Sequence, residues 1–85
     1  MGLRITTKGR GQVTIIQIDG QLAADGVPEL EKACAAVEGP LCLDLANLLS
    51  TDAAGVRAIH ELEHRGAAVV GVLPYIQKLL DAKPA

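Results

Sequence analysis

His60, Glu61 and His64 form the pattern H-E-x-x-H, whose residue types and spacing could hold a catalytic zinc ion. In metalloproteases with this pattern, the two histidines bind the metal and the glutamate acts as the general base. A catalytic zinc site needs a third protein ligand. The extended pattern H-E-x-x-H-x-x-G-x-x-H fails here, because Ala67 and Val70 occupy its last two defined positions.

The predicted helix that carries this pattern also turns the two histidines away from the protein core. Its apolar stripe centres between Ile59 and Leu62, and at about 100° per residue both His60 and His64 then point outward. We interpret the stretch as a solvated helix face and expect neither a metal site nor a cofactor. No serine or cysteine is placed against either histidine, and no phosphate-binding loop of the G-x-x-x-x-G-K-[ST] type exists, so we predict that the chain is not an enzyme.

Composition narrows the class of protein further. The 85 residues suit one domain over 1–85 with a frayed tail at 82–85, and the 49% of apolar residues include no Trp or Phe. A formal charge of -2 without a Lys/Arg cluster makes nucleic acid an unsuitable partner.

No signal peptide and no apolar run of about 20 residues is present, so we expect a cytoplasmic protein without direct membrane insertion. Cys34 and Cys42 are interpreted as reduced core thiols rather than metal or redox groups.

The periodicity of apolar residues predicts a small α/β fold. Its pattern indicates an N-terminal β-hairpin, two later strands and three helices, which together form a four-stranded mixed sheet with the helices packed on it. The hairpin strands are predicted at 3–7 and 13–19, the first helix at 25–38, and the later strands at 41–46 and 67–72. The second helix is predicted to begin at a cap formed by Thr51 or Asp52 and to end at Gly66, and the third to begin at Pro74.

The stretch LCLDLANLLSTDAAGVRAIHEL, residues 41–62, resembles the STAS domain, named for sulfate transporters and anti-sigma factor antagonists. The family signature is Asp-Ser-Ser/Thr-Gly followed by an aliphatic residue, and here residues 52–56 read Asp-Ala-Ala-Gly-Val. A second signature, Gly-Glu-Leu-Asp at the end of a strand, is matched by Gly-Gln-Leu-Ala at residues 20–23. The resemblance extends from the hairpin to about Asp81, and it implies a protein-binding module of bacterial transcription regulation.

The resemblance implies a switch that this chain lacks. In the antagonists, a partner that is both anti-sigma factor and serine kinase phosphorylates the loop serine, and only the unphosphorylated form binds that partner. Ala53 occupies this acceptor position, so we expect no phosphorylation there. Ser50 and Thr51 are the nearest hydroxyls, and capping is the favoured role for Thr51. Natural divergence or engineering could explain the alanines, and the loss of the family's Asp at Ala23 favours divergence.

The predicted function is therefore a non-enzymatic antagonist-like regulator that binds an anti-sigma factor or serine kinase. An accessory subunit of an ABC-type lipid transporter, which would bind an ATPase subunit, is the alternative, and a second copy of the chain is a further candidate partner. Asp52 is expected to cap the helix, with direct partner contact as an additional role. The predicted partner-binding residues are Gln21, Asp52, Ala53, Ala54, Gly55 and Arg57.

Overall fold

A computed structural model describes residues 2–82, so residues 83–85 of the predicted tail lie outside the described part of the chain. The predicted small α/β fold with an N-terminal hairpin and three α-helices is confirmed, but the mixed sheet has five strands rather than four. In chain order the elements are β1 (Leu3–Arg10), β2 (Val13–Leu22), a 3-10 helix (Ala24–Gly26), α1 (Val27–Ala35), β3 (Leu41–Asp44), β4 (Leu48–Thr51), α2 (Ala53–His64), β5 (Ala68–Val70) and α3 (Pro74–Asp81).

The hairpin is tighter and its strands are longer than the sequence predicted. β1 and β2 pair antiparallel from Leu3 opposite Gly20 to Arg10 opposite Val13, which leaves Gly11 and Gln12 as a two-residue turn. Gly11 adopts the positive φ of 64° that such short turns require. The polar residues at 8–10 were predicted to be loop, yet they continue the ladder because an edge strand exposed to solvent tolerates polar side chains.

β4 is a strand that the sequence did not predict, and it pairs with β2, the same strand with which β3 pairs. β2 pairs in parallel with β3 through its first half and in parallel with β4 through its last three residues. Within the β2–β4 pairing the register shifts between Gly20 and Gln21. Gly20 has a φ of +92°, and its N–H donates to the Asn47 carbonyl at 2.9 Å. After the turn at residues 46–47 the chain pairs with β2 again, so residues 48–51 of the predicted connection form a strand that ends just before the cap residue of α2.

All three helices pack on one face of the sheet. Two parallel connections cross the sheet in the same direction, away from β1. One runs from β2 through α1 to β3, and the other runs from β3 through α2 to β5. Because such crossovers are right-handed, both helices lie on the same side of the sheet. The fully buried side chains of alternate strand positions meet helical side chains in one core. That core comprises Ile16, Ile18, Leu22, Leu43, Leu45 and Leu48 from the strands and their ends, and Leu30, Ala58, Ile59, Leu62, Ile76 and Leu80 from the helices.

Three predicted elements are shorter than expected, and one of them is β3, which ends at Asp44 rather than at residue 46. α1 ends at Ala35 rather than at Glu38, and its first turn contains Pro28 as predicted, after a separate 3-10 helix at residues 24–26. β5 was predicted to be a buried strand at 67–72, but it covers only Ala68–Val70 and pairs only with β3 among the described strands. It lies at the edge of the sheet, so Ala68 and Val70 are exposed and Val69 alone turns to the core.

The start of α2 lies unusually close to the end of β2. Gly55 is buried, and a Cβ atom on it would overlap the Thr51 hydroxyl and lie 2.6 Å from the Leu22 carbonyl oxygen. The carbonyl oxygen belongs to a hydrogen-bonded strand end and cannot move as a flexible side chain would. The absence of a side chain at this glycine therefore lets the first turn of α2 rest on backbone.

Gly55→Ala should destabilise the fold by about 2 kcal/mol, because the added methyl group forces α2 away from Leu22. Helix propensity alone predicts the opposite sign, a gain of about 1 kcal/mol for Ala over Gly inside a helix. Urea unfolding followed by circular dichroism would measure the difference.

Gly9→Ala is the matched control, since a Cβ on Gly9 meets no atom within 4 Å and the strand conformation is ordinary. A Gly55→Ala variant as stable as the wild type would contradict the close packing of α2.

Candidate functional site

The Asp52 carboxylate joins two segments that are distant in sequence. Its Oδ1 accepts a hydrogen bond from the Gly55 N–H at 2.9 Å, which caps α2, and its Oδ2 accepts one from the Ala24 N–H at 3.0 Å, at the start of the 3-10 helix. One side chain thus satisfies backbone donors at the beginning of both helical segments. The cap predicted for α2 is Asp52, and the bond to Ala24 has no counterpart in the sequence analysis.

These bonds also set the ionisation of Asp52. The N–H of Gly55, and then that of Ala24, hold the pKa of the Asp52 carboxyl below its usual value, since both favour the charged form. The side chain itself is exposed. Asp52 is therefore an ionised carboxylate at neutral pH, with one backbone N–H on each of its oxygens.

The Leu22 carbonyl oxygen at the end of β2 is a second point of attachment. It accepts hydrogen bonds from the Thr51 hydroxyl at 2.8 Å and from the Asp52 N–H at 3.2 Å. Thr51 was the alternative cap for α2, but its hydroxyl points to β2 rather than to the helix. The ends of β2 and β4 and the start of α2 are consequently fixed to one another by both side-chain and backbone bonds.

The predicted partner-binding residues differ in exposure and in the cavity that they border. Ala53 and Arg57 are exposed on α2 beside the exposed Asp52, and Ala54 is half-buried. Gly55 is buried against Thr51 and Leu22, and its contact with a partner stays a prediction. Gln21 is exposed but borders a different cavity, of about 270 Å³, together with residues of β1 and α1.

A groove between the start of α2 and the end of α3 lies beside the loop at residues 52–55. Its volume is about 340 Å³. Residues 52–55 and Arg57 were predicted to bind a partner, but neither the groove nor its wall from α3 was predicted. The lining residues are Thr51, Asp52, Ala53, Val56, Arg57, His60, Leu79 and Ala82.

His60 does not lie on a fully solvated face, which corrects the prediction that both histidines point outward. His60 is half-buried, and its Nε2 lies 2.8 Å from the Leu80 carbonyl oxygen of α3, whereas His64 is exposed. A carbonyl oxygen only accepts, so Nε2 donates and ties α2 to α3. Within residues 2–82, no cluster of three or more His, Cys, Asp or Glu side chains could hold a metal ion.

Asp44 and the two cysteines are the remaining side chains that were considered for chemistry. Asp44 Oδ1 accepts the Ala46 N–H at 3.0 Å and so shapes the turn between β3 and β4. Cys34 and Cys42 are half-buried free thiols, and burial, more than the opposing charge of Arg65, raises the pKa of Cys34. No described helix is both long and apolar enough to cross a bilayer.

Asp52→Asn should lower the stability of the fold at neutral pH, because the amide offers one neutral acceptor oxygen in place of two charged ones, so one of the two N–H groups loses its acceptor. The folded-state pKa of Asp52 is lowered, so its contribution is fully present above the ordinary aspartate pKa of about 3.9 and is lost as pH falls through the folded value. Thermal unfolding from pH 7 to pH 2.5 should therefore show wild type and variant converging in acid.

Asp25→Asn, a change of the exposed carboxylate on the neighbouring 3-10 helix, should unfold like the wild type. A constant difference between the wild type and Asp52→Asn across this pH range would contradict the role given to the ionised carboxylate.

The fold of this chain is similar to those of solved anti-sigma factor antagonists. The anti-sigma factor antagonist SpoIIAA in its unphosphorylated form superposes with a TM-score of 0.64 at 17% identity, over 98% of this chain and 84% of that one. An anti-sigma factor antagonist STAS domain from Rhodobacter sphaeroides gives a TM-score of 0.58 at 21% identity, over 81% of this chain and 86% of that one.

A third similar structure is part of a much longer chain. The protein Mglu superposes with a TM-score of 0.63 at 21% identity over 75% of this chain, which matches only 18% of the length of Mglu. No protein-family model and no curated protein matches the sequence. At these levels of identity the likeness concerns the fold, and the chain has the STAS fold of the SpoIIAA-like anti-sigma factor antagonists.

Proposed function

We propose that this chain is a non-enzymatic protein-binding regulator of the anti-sigma factor antagonist kind, held permanently in its binding-competent form. The fold it shares with SpoIIAA in the unphosphorylated form supports a module of this kind. The observation that carries the proposal is Ala53, the exposed first residue of α2, which has no hydroxyl where the family signature has its phosphate acceptor.

The geometry around Ala53 favours a fixed docking surface. Asp52 anchors the loop through Gly55 and Ala24, and the Thr51 hydroxyl is committed to the Leu22 carbonyl. These bonds hold the start of α2 in one position, so a partner meets a preformed surface and little ordering free energy is spent on binding.

The neighbouring hydroxyls are poor substitutes for the missing acceptor. Ser50 and Thr51 are half-buried at the end of β4, and a kinase would have to separate Thr51 from Leu22 before transferring a phosphate. A regulator of this design is controlled by its amount and by competition for its partner rather than by phosphate on the loop.

The proposed partner is an anti-sigma factor with serine kinase activity from the same organism. It would bind the loop at residues 52–54 and the exposed side of α2 that carries Arg57. A phosphate on residue 53 would be buried in the interface without an opposite charge, and the cost of removing it from water would weaken the complex. An alanine cannot be phosphorylated, so the complex would persist.

Ala53→Asp should weaken binding to that anti-sigma factor by about a hundredfold, because an added carboxylate would be buried in the interface without a partner. The positive end of α2 offsets only about 0.3 to 1 kcal/mol of this cost. Isothermal titration calorimetry of both forms measures the change. Ala36→Asp, on an exposed alanine at the far end of α1, is the matched control and should bind normally.

Ala53→Ser provides the complementary gain of function. With the same anti-sigma factor and ATP, this variant should acquire one phosphate and leave the complex, while the wild type should remain unmodified and bound. Equal affinity of the wild type and Ala53→Asp, with folding shown by circular dichroism, would place the binding surface elsewhere and remove the proposal.

A further inference from the structure

The groove between α2 and α3 has apolar walls on both of its sides. Ala53 and Val56 lie on the α2 side, and Leu79 and Ala82 lie at the end of α3. Val56 and Leu79 pack against the core yet remain half-exposed in the groove. Its volume of about 340 Å³ is at the lower end of the range for ligand pockets, which is about 300 to 1,000 Å³.

Most polar groups of the groove have hydrogen-bond partners among the described residues, but the guanidinium of Arg57 does not. The Thr51 hydroxyl donates to Leu22, both Asp52 oxygens accept backbone N–H groups, and His60 Nε2 donates to Leu80. Toward the residues described, 2–82, the guanidinium of Arg57 makes no hydrogen bond or ion pair and is exposed at the groove wall. Arg57 therefore presents a cation and its donors beside an apolar recess.

We propose that this groove binds a short peptide segment of the partner protein, in which an aliphatic or aromatic side chain fills the recess and a nearby Asp or Glu pairs with Arg57. The inference rests on the proposed function, since it names the chemistry by which the same α2 surface recognises its partner. Burial of an apolar side chain supplies affinity, and the guanidinium selects a carboxylate and fixes the direction of the segment.

Ala53 gains a second role in this arrangement. It forms part of the apolar wall, so the side chain that lacks a hydroxyl also adds no polar group to that side of the recess. Arg57 follows Ala53 by four residues and lies one helical turn further along the same side of α2. An anchor at Ala53 and a carboxylate at Arg57 are therefore about one turn apart, a spacing that a short peptide can match.

The test is a selection from a phage-displayed library of random dodecapeptides on the immobilised full chain. We expect enrichment of sequences with Leu, Ile, Met or Phe followed or preceded within four residues by Asp or Glu. Ala53→Leu should reduce the affinity of a selected synthetic peptide by about tenfold or more, because the larger side chain occupies the recess. Arg57→Glu should reduce it by about fivefold and, in a second selection, exchange the acidic preference for Lys or Arg.

Two exposed positions outside the groove provide matched controls. Ala36→Leu at the end of α1 and Arg65→Glu at the end of α2 make the same chemical changes and should leave the peptide affinity unchanged. Enrichment of no peptide, or of peptides that bind Ala53→Leu and Arg57→Glu as well as they bind the wild type, would overturn the inference. Decanoate binding that depends on Arg57, or self-association that Ala53→Leu abolishes, would assign the groove to a fatty acid or to a second copy instead.

The two proposals fail separately. If the anti-sigma factor binds the wild type and loses affinity for Ala53→Asp, while no selected peptide loses affinity for Ala53→Leu or Arg57→Glu, the proposed function stands and the groove inference falls. If acidic, anchor-bearing peptides bind the groove while no anti-sigma factor responds to Ala53→Asp, the groove stands as a peptide site and the proposed function falls.

Discussion

The ionised carboxylate of Asp52 is the interaction on which the candidate site depends. Its two oxygens accept the N–H groups of Gly55 and Ala24, so one side chain aligns the start of α2 with the segment that follows β2. The Leu22 carbonyl adds two further bonds from the other direction, and Gly55 has no side chain to hold the two backbones apart. Removal of any one of these features would loosen the same junction, because all of them fix the position of α2 over the end of β2.

The position of the groove follows from that junction. α2 is fixed to the sheet at its start, and further along it is tied to α3 by the bond from His60 to the Leu80 carbonyl. The space left between the two helices exposes Ala53, Val56 and Leu79. A site on rigid elements can discriminate between partners at small ordering cost, so the start of α2 can present a specific surface without a hydroxyl at Ala53.

The order of the main elements and the loop at residues 52–55 could be predicted from sequence, because they depend on local signals. Apolar periodicity indicated α1, α2 and α3, and the small residues after Asp52 indicated the start of α2. β4 was missed, because four residues after a turn carry too little alternation to mark a strand. The contacts from Asp52 to Ala24 and from His60 to Leu80 span 28 and 20 residues, and such tertiary pairs leave no periodic signal in a single sequence.

The most direct test of this account is an NMR titration that follows the carboxyl carbon of Asp52 and the amide protons of Ala24 and Gly55 from pH 7 to pH 2. Both amides should shift with a single midpoint shared with the Asp52 carboxyl and lying below the ordinary aspartate pKa of about 3.9, and both responses should vanish in Asp52→Asn. The amide of Ala46, which donates to Asp44 and not to Asp52, is the internal reference, and its chemical shift at each pH should be the same in Asp52→Asn as in the wild type. Separate midpoints for Ala24 and Gly55, or a common midpoint at or above the ordinary value, would contradict the claim that one ionised carboxylate holds the two segments together.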